Sequence, residues 1–519
     1  MTDPAPSHPL TDPIVVDSLG TDLRAAGYDV DGVAQALGDA AHAALAAGTW
    51  WPAQRACAAA QDDSPSLVAL IRLFLLAEAV SESAVRQAFP TTSLDDLLRH
   101  GVLRQGVQRH EALGPAADST FVSALDIRPY ADDAGSYLVI SDQDAGLRDG
   151  PVTHDHVLGI GGASISLARA VIRRPAARAL DLGTGCGVQA LHLHAHAEHI
   201  VATDTNDRAL ALARATAQIN GMSWDLRTGS LFDPVAGEVF DLIVSNPPFV
   251  VGTGSQDYIY RDSGISGDGL CAKLIADLPG YLAPGGTATV LANWMVFDAD
   301  DWQARPREWF DGYPLDAWVV QRELADPISY ISLWLADAGE TAESVAARAN
   351  TWAQWFERNG VVGIGMGVIT LRAKEFDDES APIHVIEEIT GAGEEVTGVE
   401  AEAFLARQRY LAAVTDDQVL ELPLSTAPVL LEEQSLPGEQ GWQAISHTVR
   451  RPGGPGAVLG LDEVSKALLA GCRGEVPLGT LIELLAGFHG VEADALAQAA
   501  MPVVREAIAR GILHEVQRD

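Results

Sequence analysis

The feature that most constrains this chain is a short apolar run, ARALDLG (177–183), that passes directly into the glycine-rich turn DLGTGCG (Asp181 to Gly187) and then into a helical segment, GVQALHLHAHA. A buried strand, glycines at its carboxyl end and an immediate helix open an α/β domain, because glycine lets the backbone approach a ligand that a Cβ would exclude. The pattern continues downstream. Apolar runs alternate with helical stretches, which predicts a buried parallel sheet. Strands are expected at 177–183, 199–204, 224–229, 240–246, 286–294, 316–323 and 363–373, with helices over GVQALHLHAHA, DRALALARATAQIN, DGLCAKLIADLPGYL and TAESVAARANTWAQWFERNG. Seven strands ending in a hairpin-like pair fit an open doubly wound sheet.

The glycine turn discriminates between ligands. A dinucleotide fingerprint needs a third glycine where Val188 stands. Asp181 would repel a pyrophosphate but would welcome the α-amino group of a methionine moiety. The turn therefore favours S-adenosyl-L-methionine over NAD, with Asp181, Gly183, Thr184, Gly185 and Gly187 as cofactor-binding residues. Asp204, ending the second strand in VATDTN, is placed to accept both ribose hydroxyls. Asp233, in GSLFD after the third strand, is placed for an adenine amino group, with Phe232 beside the ring. A single Asp after a strand is more commonly a helix cap or turn residue. Three acids after three successive strands point to a ligand, because ligands bind at the carboxyl ends of such strands.

After the fourth strand comes Asn246-Pro247-Pro248-Phe249. Two prolines end the sheet and keep the preceding residue out of the helical region, so a rigid turn is the plain explanation. The chemical one goes further. An amide or exocyclic amine spreads its lone pair into a π system, and attack on a sulfonium methyl requires that nitrogen to move towards sp3. The Asn246 side-chain oxygen and the Pro247 carbonyl can accept its two N–H bonds and localise the lone pair. Phe249 can stack on the flat group and hold it in line. No strong base is needed, since the proton becomes acidic once the nitrogen is methylated.

In this order, DLGTGCG, VATDTN, GSLFD and SNPPF resemble class I S-adenosylmethionine-dependent methyltransferases of the (D/N)PP(Y/F) group. Asn at the first motif position, followed by IYRDSGISGDGL, is most similar to the HemK-type and small-domain branches. The resemblance implies a Rossmann-like seven-stranded domain, with Asn246 to Phe249 on the target nitrogen, Asp204 on the ribose, Asp233 on the adenine, and Asp181, Gly183 and Gly185 at the methionine end. HDHVLGIGGASISLA (154–168) resembles the segment that closes over the cofactor. Tyr258, Tyr260 and Arg261 come after the motif and could shape the acceptor pocket or simply pack a loop.

The flanks read differently. Residues 1–15 look like a loose tail. Residues 16–145 are mainly helical, and RHGVLRQG followed by FVSALDI and SYLVIS suggests a winged-helix-like module, with Thr92 or Ser93 as a helix cap. The methyltransferase-like domain is expected over 150–373 and a C-terminal extension over 375–519, where ARGILHEV repeats the winged-helix-like ending. The stretch from 375 to about 455 is acidic, punctuated by Gly and Pro, and gives no clear period.

Composition bears on the acceptor. The formal charge is −37, with 34 basic and 71 acidic residues among 519. Such a surface repels phosphate backbones, so a protein acceptor of glutamine-amide type is favoured over an exocyclic base nitrogen in RNA or DNA. Arg169, Arg173, Arg174 and Arg178, near the expected cleft, are the candidates for overriding that charge. A non-catalytic scaffold is the remaining alternative, and it predicts lost motif residues where all are present. Cys57, Cys186, Cys271 and Cys472 lie far apart without a CxxC pair, which suggests reduced thiols in a cytoplasmic protein. No metal site is expected: His192 and His196 have zinc-ligand spacing, but the helix reads as a solvated face. Trp50, Trp51, Trp352 and Trp355 read as core.

Overall fold

The computed structural model describes residues 8–60, 63–106, 119–147, 151–336, 342–389, 394–438 and 441–516. The chain divides into two compact units, Met1–Ala168 with Arg174–Trp302 and Ala325–Ile364, and Arg169–Arg173 with Gln303–Leu324 and Gly365–Asp519.

The first unit opens with helices. Asp12 caps Pro13–Ala25 by accepting from the Ile14 N–H. Leu10 is already buried, and its N–H donates to the His100 carbonyl. The chain is therefore packed before residue 15, and the earlier part of the expected tail, 1–7, lies outside the described residues. Ser81 and Ser93 cap helices Glu82–Ala88 and Leu94–Arg99. Strands Leu103–Gln105 and Thr120–Ser123 then pair antiparallel. Between them, 107–118 lie outside the described residues. The expected strand FVSALDI divides after Ser123, whose hydroxyl donates to the Val102 carbonyl and accepts from the Leu125 N–H. Its second half enters a separate antiparallel hairpin, β1 (Leu125–Asp132) with β2 (Gly135–Asp142), so SYLVIS belongs to this hairpin and not to a wing.

The sheet comes next. Its strands are β3 (Ala176–Leu182), β4 (Ala197–Asp204), β5 (Asp225–Thr228), β6 (Phe240–Ser245) and β7 (Leu282–Val296). They lie in the order β7-β6-β3-β4-β5, and every pair is parallel. From β3 the chain steps outward through β4 to β5, then returns to the other side of β3 as β6. That reversal opens a crevice at the carboxyl ends of β3 and β6, where open α/β sheets bind ligands. Helices α1 (Val188–Leu193) and α2 (Asp207–Ile219) come after β3 and β4. Later helices α3 (Pro327–Ala336) and α4 (Ala342–Asn359) complete the unit.

In the second unit β8 (Asp316–Ala325) pairs in parallel with β10 (His384–Glu388), and β9 (Gly363–Arg372) is its other neighbour. β10 lies in the stretch whose sequence shows no period. So does helix Gly398–Ala413, whose Phe404 stacks on Trp318 at 4.4 Å between centroids. Three helices, Glu463–Gly471, Leu478–His489 and Ala493–Ala509, enclose Leu468, Ile482, Val504 and Ile508. The chain then reaches Leu513–Glu515, antiparallel to Leu424–Thr426.

Two expectations about side chains are corrected. His192 is buried, with Nδ1 2.9 Å from Asp132 and Nε2 3.0 Å from the Tyr130 hydroxyl, and His196 is half-buried, so the two do not form a solvated face. Trp51 is 63% exposed and Trp50 half-buried, whereas Trp352 is core and Trp355 half-buried.

Candidate active site

The crevice holds a cleft of about 1020 Å³, at the upper end for ligand sites, lined by both strand ends, the β1–β2 hairpin, His154 and residues 156–164. The turn after β3 forms one wall. Gly183 and Thr184 donate their N–H groups to the Thr203 carbonyl, which ties the turn to β4. Gly185 has φ +55, and a Cβ built there meets no protein atom within 4 Å, so the turn presents bare backbone to the cleft. Gly187 does the opposite: with φ +90 it starts α1, and a Cβ would strike the Trp224 ring at 2.5 Å.

The acids separate into different tasks. Asp181 is fully buried and is not among the lining residues. Its Oδ2 accepts from the Thr184 hydroxyl at 2.6 Å and the Ala190 N–H at 2.9 Å, and its Oδ1 has no hydrogen-bond partner among the described residues. Burial pushes its carboxyl up to about 7. It braces the turn from behind. Asp204 does line the cleft, but its oxygens already accept from the Gly185 and Asn206 N–H groups, each at 2.9 Å, and the Thr205 backbone adds to them, so the carboxylate is partly engaged before a ligand arrives. Burial raises its pKa, against the pull of those bonds.

Phe232 and Asp233 lie away from the cleft. The Phe232 ring is buried in a stack on Tyr281 at 4.1 Å, and Asp233 is exposed in a short 3-10 turn. Their neighbours Gly229, Ser230 and Leu231 line it instead, Leu231 in the left-handed region at φ +46.

On the facing strand, the Ser245 hydroxyl donates to the Leu182 carbonyl at 2.8 Å, joining the ends of β6 and β3. Asn246 comes directly after it. Its side-chain oxygen is buried and has no hydrogen-bond partner among the described residues, although the residue lines the cleft with Pro247 and Pro248. Phe249 packs edge-on against Trp334 at 5.8 Å and is not a lining residue. Just beyond, the Val251 N–H donates to the Tyr330 hydroxyl and its carbonyl accepts from Trp352 Nε1. Asn293 Nδ2 also donates to that hydroxyl, whose pKa burial pushes up. Tyr330, Asn293 and Trp352 thus hold the motif from behind. Nothing in their local sequence marks them, because their role exists only where α3, α4 and β7 meet.

Of the three residues proposed for the acceptor pocket, Tyr260 lines the cleft, its ring 5.9 Å from that of His156. Tyr258 and Arg261 are buried together, guanidinium over ring at 4.6 Å, and belong to loop packing. Residues 154–164 are anchored by the Val157 N–H donating to Asp142, itself paired with Arg208. Asn206 was unforeseen as a lining residue; it caps α2 and donates to the Asp155 carbonyl. None of Arg169, Arg173, Arg174 and Arg178 lines the cleft. Arg169 pairs with Glu395 and Arg178 with Glu238.

Residues 160–295 match the family described as methyltransferase small domain. This stretch is a methyltransferase small domain of the class I fold. The flanks match two further families, each described as a domain of unknown function, DUF7059 over 25–113 and DUF7782 over 402–515. The chain is 37% identical over 129 residues to the release factor glutamine methyltransferase of Xylella fastidiosa, covering 22% of this chain and 47% of that protein. It is 34% identical to the ribosomal protein uL3 glutamine methyltransferase of Xanthomonas campestris, covering 22% and 41%. Against the ribosomal RNA small subunit methyltransferase C of Alcanivorax borkumensis it is 30% identical, covering 31% and 45%. The chain thus spans about half the length of the curated relatives it matches. Among the described residues no helix is long and apolar enough to cross a membrane.

Proposed function

We propose that this protein is a cytoplasmic S-adenosyl-L-methionine-dependent N-methyltransferase whose acceptor is a planar nitrogen of glutamine-amide type on a protein. The observation that carries the proposal is the Asn246 side-chain oxygen, buried without a donor among the described residues at the cleft where β6 meets β3. A buried acceptor left unpaired is costly unless a ligand supplies the missing N–H.

The residues fit the cofactor. Gly183 and Gly185 leave backbone bare at one wall, Asp204 lines the cleft beside them, and the cleft has room for cofactor and acceptor group together. When bound, the cofactor supplies an electrophilic sulfonium methyl. Asn246 and the Pro247 carbonyl accept the two N–H groups of the acceptor and turn its lone pair out of conjugation. The prolines keep that turn rigid, and Phe249 supports it from outside the cleft through Trp334. Residues 150–373 carry the chemistry in this scheme, the hairpin of residues 125–142 contributes to the cleft wall, and the rest of the flanks, 16–145 and 375–519, selects the acceptor.

A protein acceptor is favoured by the charges that line the cleft among the described residues, Asp126, Asp142, Asp144, Asp204 and Asp262 against Arg128, which repel a phosphate backbone. The Xylella and Xanthomonas relatives are named for glutamine methylation. The rRNA methyltransferase of Alcanivorax supports an exocyclic base nitrogen as the second reading.

Tritiated methyl transfer into a cell extract tests both. Label should be released by protease and survive nuclease, and Asn246→Ala should lower transfer by roughly 100-fold or more while cofactor affinity stays within a few-fold. Nuclease-sensitive label would replace the acceptor class, and an active Asn246→Ala enzyme would remove the motif from the chemistry.

A further inference from the structure

The cleft has a second polar group that no family match covers. Asp126 and Arg128 sit two residues apart on β1, and therefore on one face of that strand, and both line the cleft with Gly183, Thr184, Gly185 and Cys186 of the glycine turn. Arg128 Nε and Nη2 donate to Asp126 Oδ2 at 3.2 and 2.9 Å. The arginine side chain remains 39% exposed and keeps N–H groups to donate. Asp126 is only 6% exposed, and its Oδ1 is buried with no hydrogen-bond partner among the described residues. The group lies against the turn: the Cys186 thiol, pushed up to about 12 chiefly by burial, also feels the charge of Asp126. The strand is held in place behind this pair, where the Tyr28 hydroxyl donates to the Ile127 carbonyl at 2.7 Å.

A carboxylate oxygen lacking a donor, beside a guanidinium with donors to spare, is complementary to a zwitterion. An ammonium fits the first and a carboxylate the second, as in a free α-amino acid end. Other acids near the turn do not offer this. Asp181 does not line the cleft, Asp142 is bound to Arg208 and the Val157 N–H, and Asp204 holds the turn itself. We propose that Asp126 and Arg128 receive the amino-acid end of the cofactor, Asp126 accepting from its ammonium and Arg128 donating to its carboxylate. The assignment rests on the proposal that the cleft binds S-adenosyl-L-methionine. It moves the methionine end from Asp181 to a hairpin outside the methyltransferase small domain.

Calorimetry with three ligands tests it without turnover. S-adenosylhomocysteine carries both charged groups, decarboxylated S-adenosylmethionine keeps only the amine of that end, and 5′-methylthioadenosine has neither. Arg128→Met should weaken S-adenosylhomocysteine by roughly 10- to 100-fold and leave the other two within about threefold. Asp126→Asn should weaken the first two by a similar factor and spare 5′-methylthioadenosine. If Arg128→Met does not fold, Arg128→Gln removes the charge while keeping a donor for Asp126 and carries the same expectation. Equal losses on all three ligands, or undiminished S-adenosylhomocysteine binding, would overturn the assignment. Wild-type protein that binds none of the three would instead overturn the cofactor reading, a distinct result.

Discussion

At the scale of single residues, one carboxyl has an unusual setting. Asp181 gains two hydrogen bonds but loses all contact with water, and burial wins: its carboxyl titrates near 7, against 3.8 in an open chain. Between those values the folded protein holds a proton that the unfolded chain has released. Stability from this group is thus fully present below about pH 4, falls as pH rises towards 7, and is level above that. Asp181→Asn keeps an acceptor for Thr184 and Ala190 and removes the titration. The variant should gain on wild type between about pH 4 and 7, by an amount on the order of 4 kcal/mol over that whole window. Denaturant unfolding at several pH values measures it, and a pH-independent difference would mean that Asp181 titrates as an ordinary carboxylate. That this acid stands at the carboxyl end of a strand was legible in DLGTGCG. That it faces Thr184 and Ala190 rather than the cleft was not, because the turn's own fold decides which way the side chain points.

At the scale of elements, the turn between β3 and α1 is set by two glycines with different reasons. Gly185 leaves space for a ligand, whereas Gly187 makes room for Trp224, which lies outside α2 on the approach to β5. A Cβ at Gly187 meets both an unfavourable backbone, at about 1 kcal/mol or more, and the indole. Gly187→Ala should therefore lower the thermal midpoint by several degrees, consistent with a loss of about 2–4 kcal/mol. Adding Trp224→Leu should recover part of the loss beyond additivity. Strictly additive effects would show that the turn moves away from the indole. The sequence marks both positions as glycine after a strand, and a glycine pattern alone does not separate ligand space from core space. The hairpin β1–β2 makes the same point. Its strands were visible as apolar runs, but their pairing with each other, and the placement of Asp126 and Arg128 in the cleft, depended on the break after Ser123.

At the scale of the whole molecule, charge and cleft point the same way. The chain carries −37 overall, and among the described residues its cleft is lined by five aspartates and one arginine. Binding of a protein acceptor should then change by less than about tenfold between 50 and 200 mM salt, whereas a nucleic acid held by six or more phosphate contacts would lose about 1000-fold or more. A salt titration of acceptor KM distinguishes them, and a steep loss would favour the RNA reading. Local patterns determined much of this protein. The strand–glycine–helix unit, the parallel strands from 176 to 296 and the loop position of Asn246-Pro247-Pro248 at the cleft arise from sterics and hydrophobic periodicity, which act between near neighbours in the chain. Tertiary structure alone decided which polar atoms face the cleft. Phe232 turns inward because Tyr281 offers it a stacking partner, Asp181 is sealed behind its own turn, and Asp126 and Arg128 enter from a hairpin far upstream. Each outcome depends on partners that no local period encodes, most of them distant in sequence.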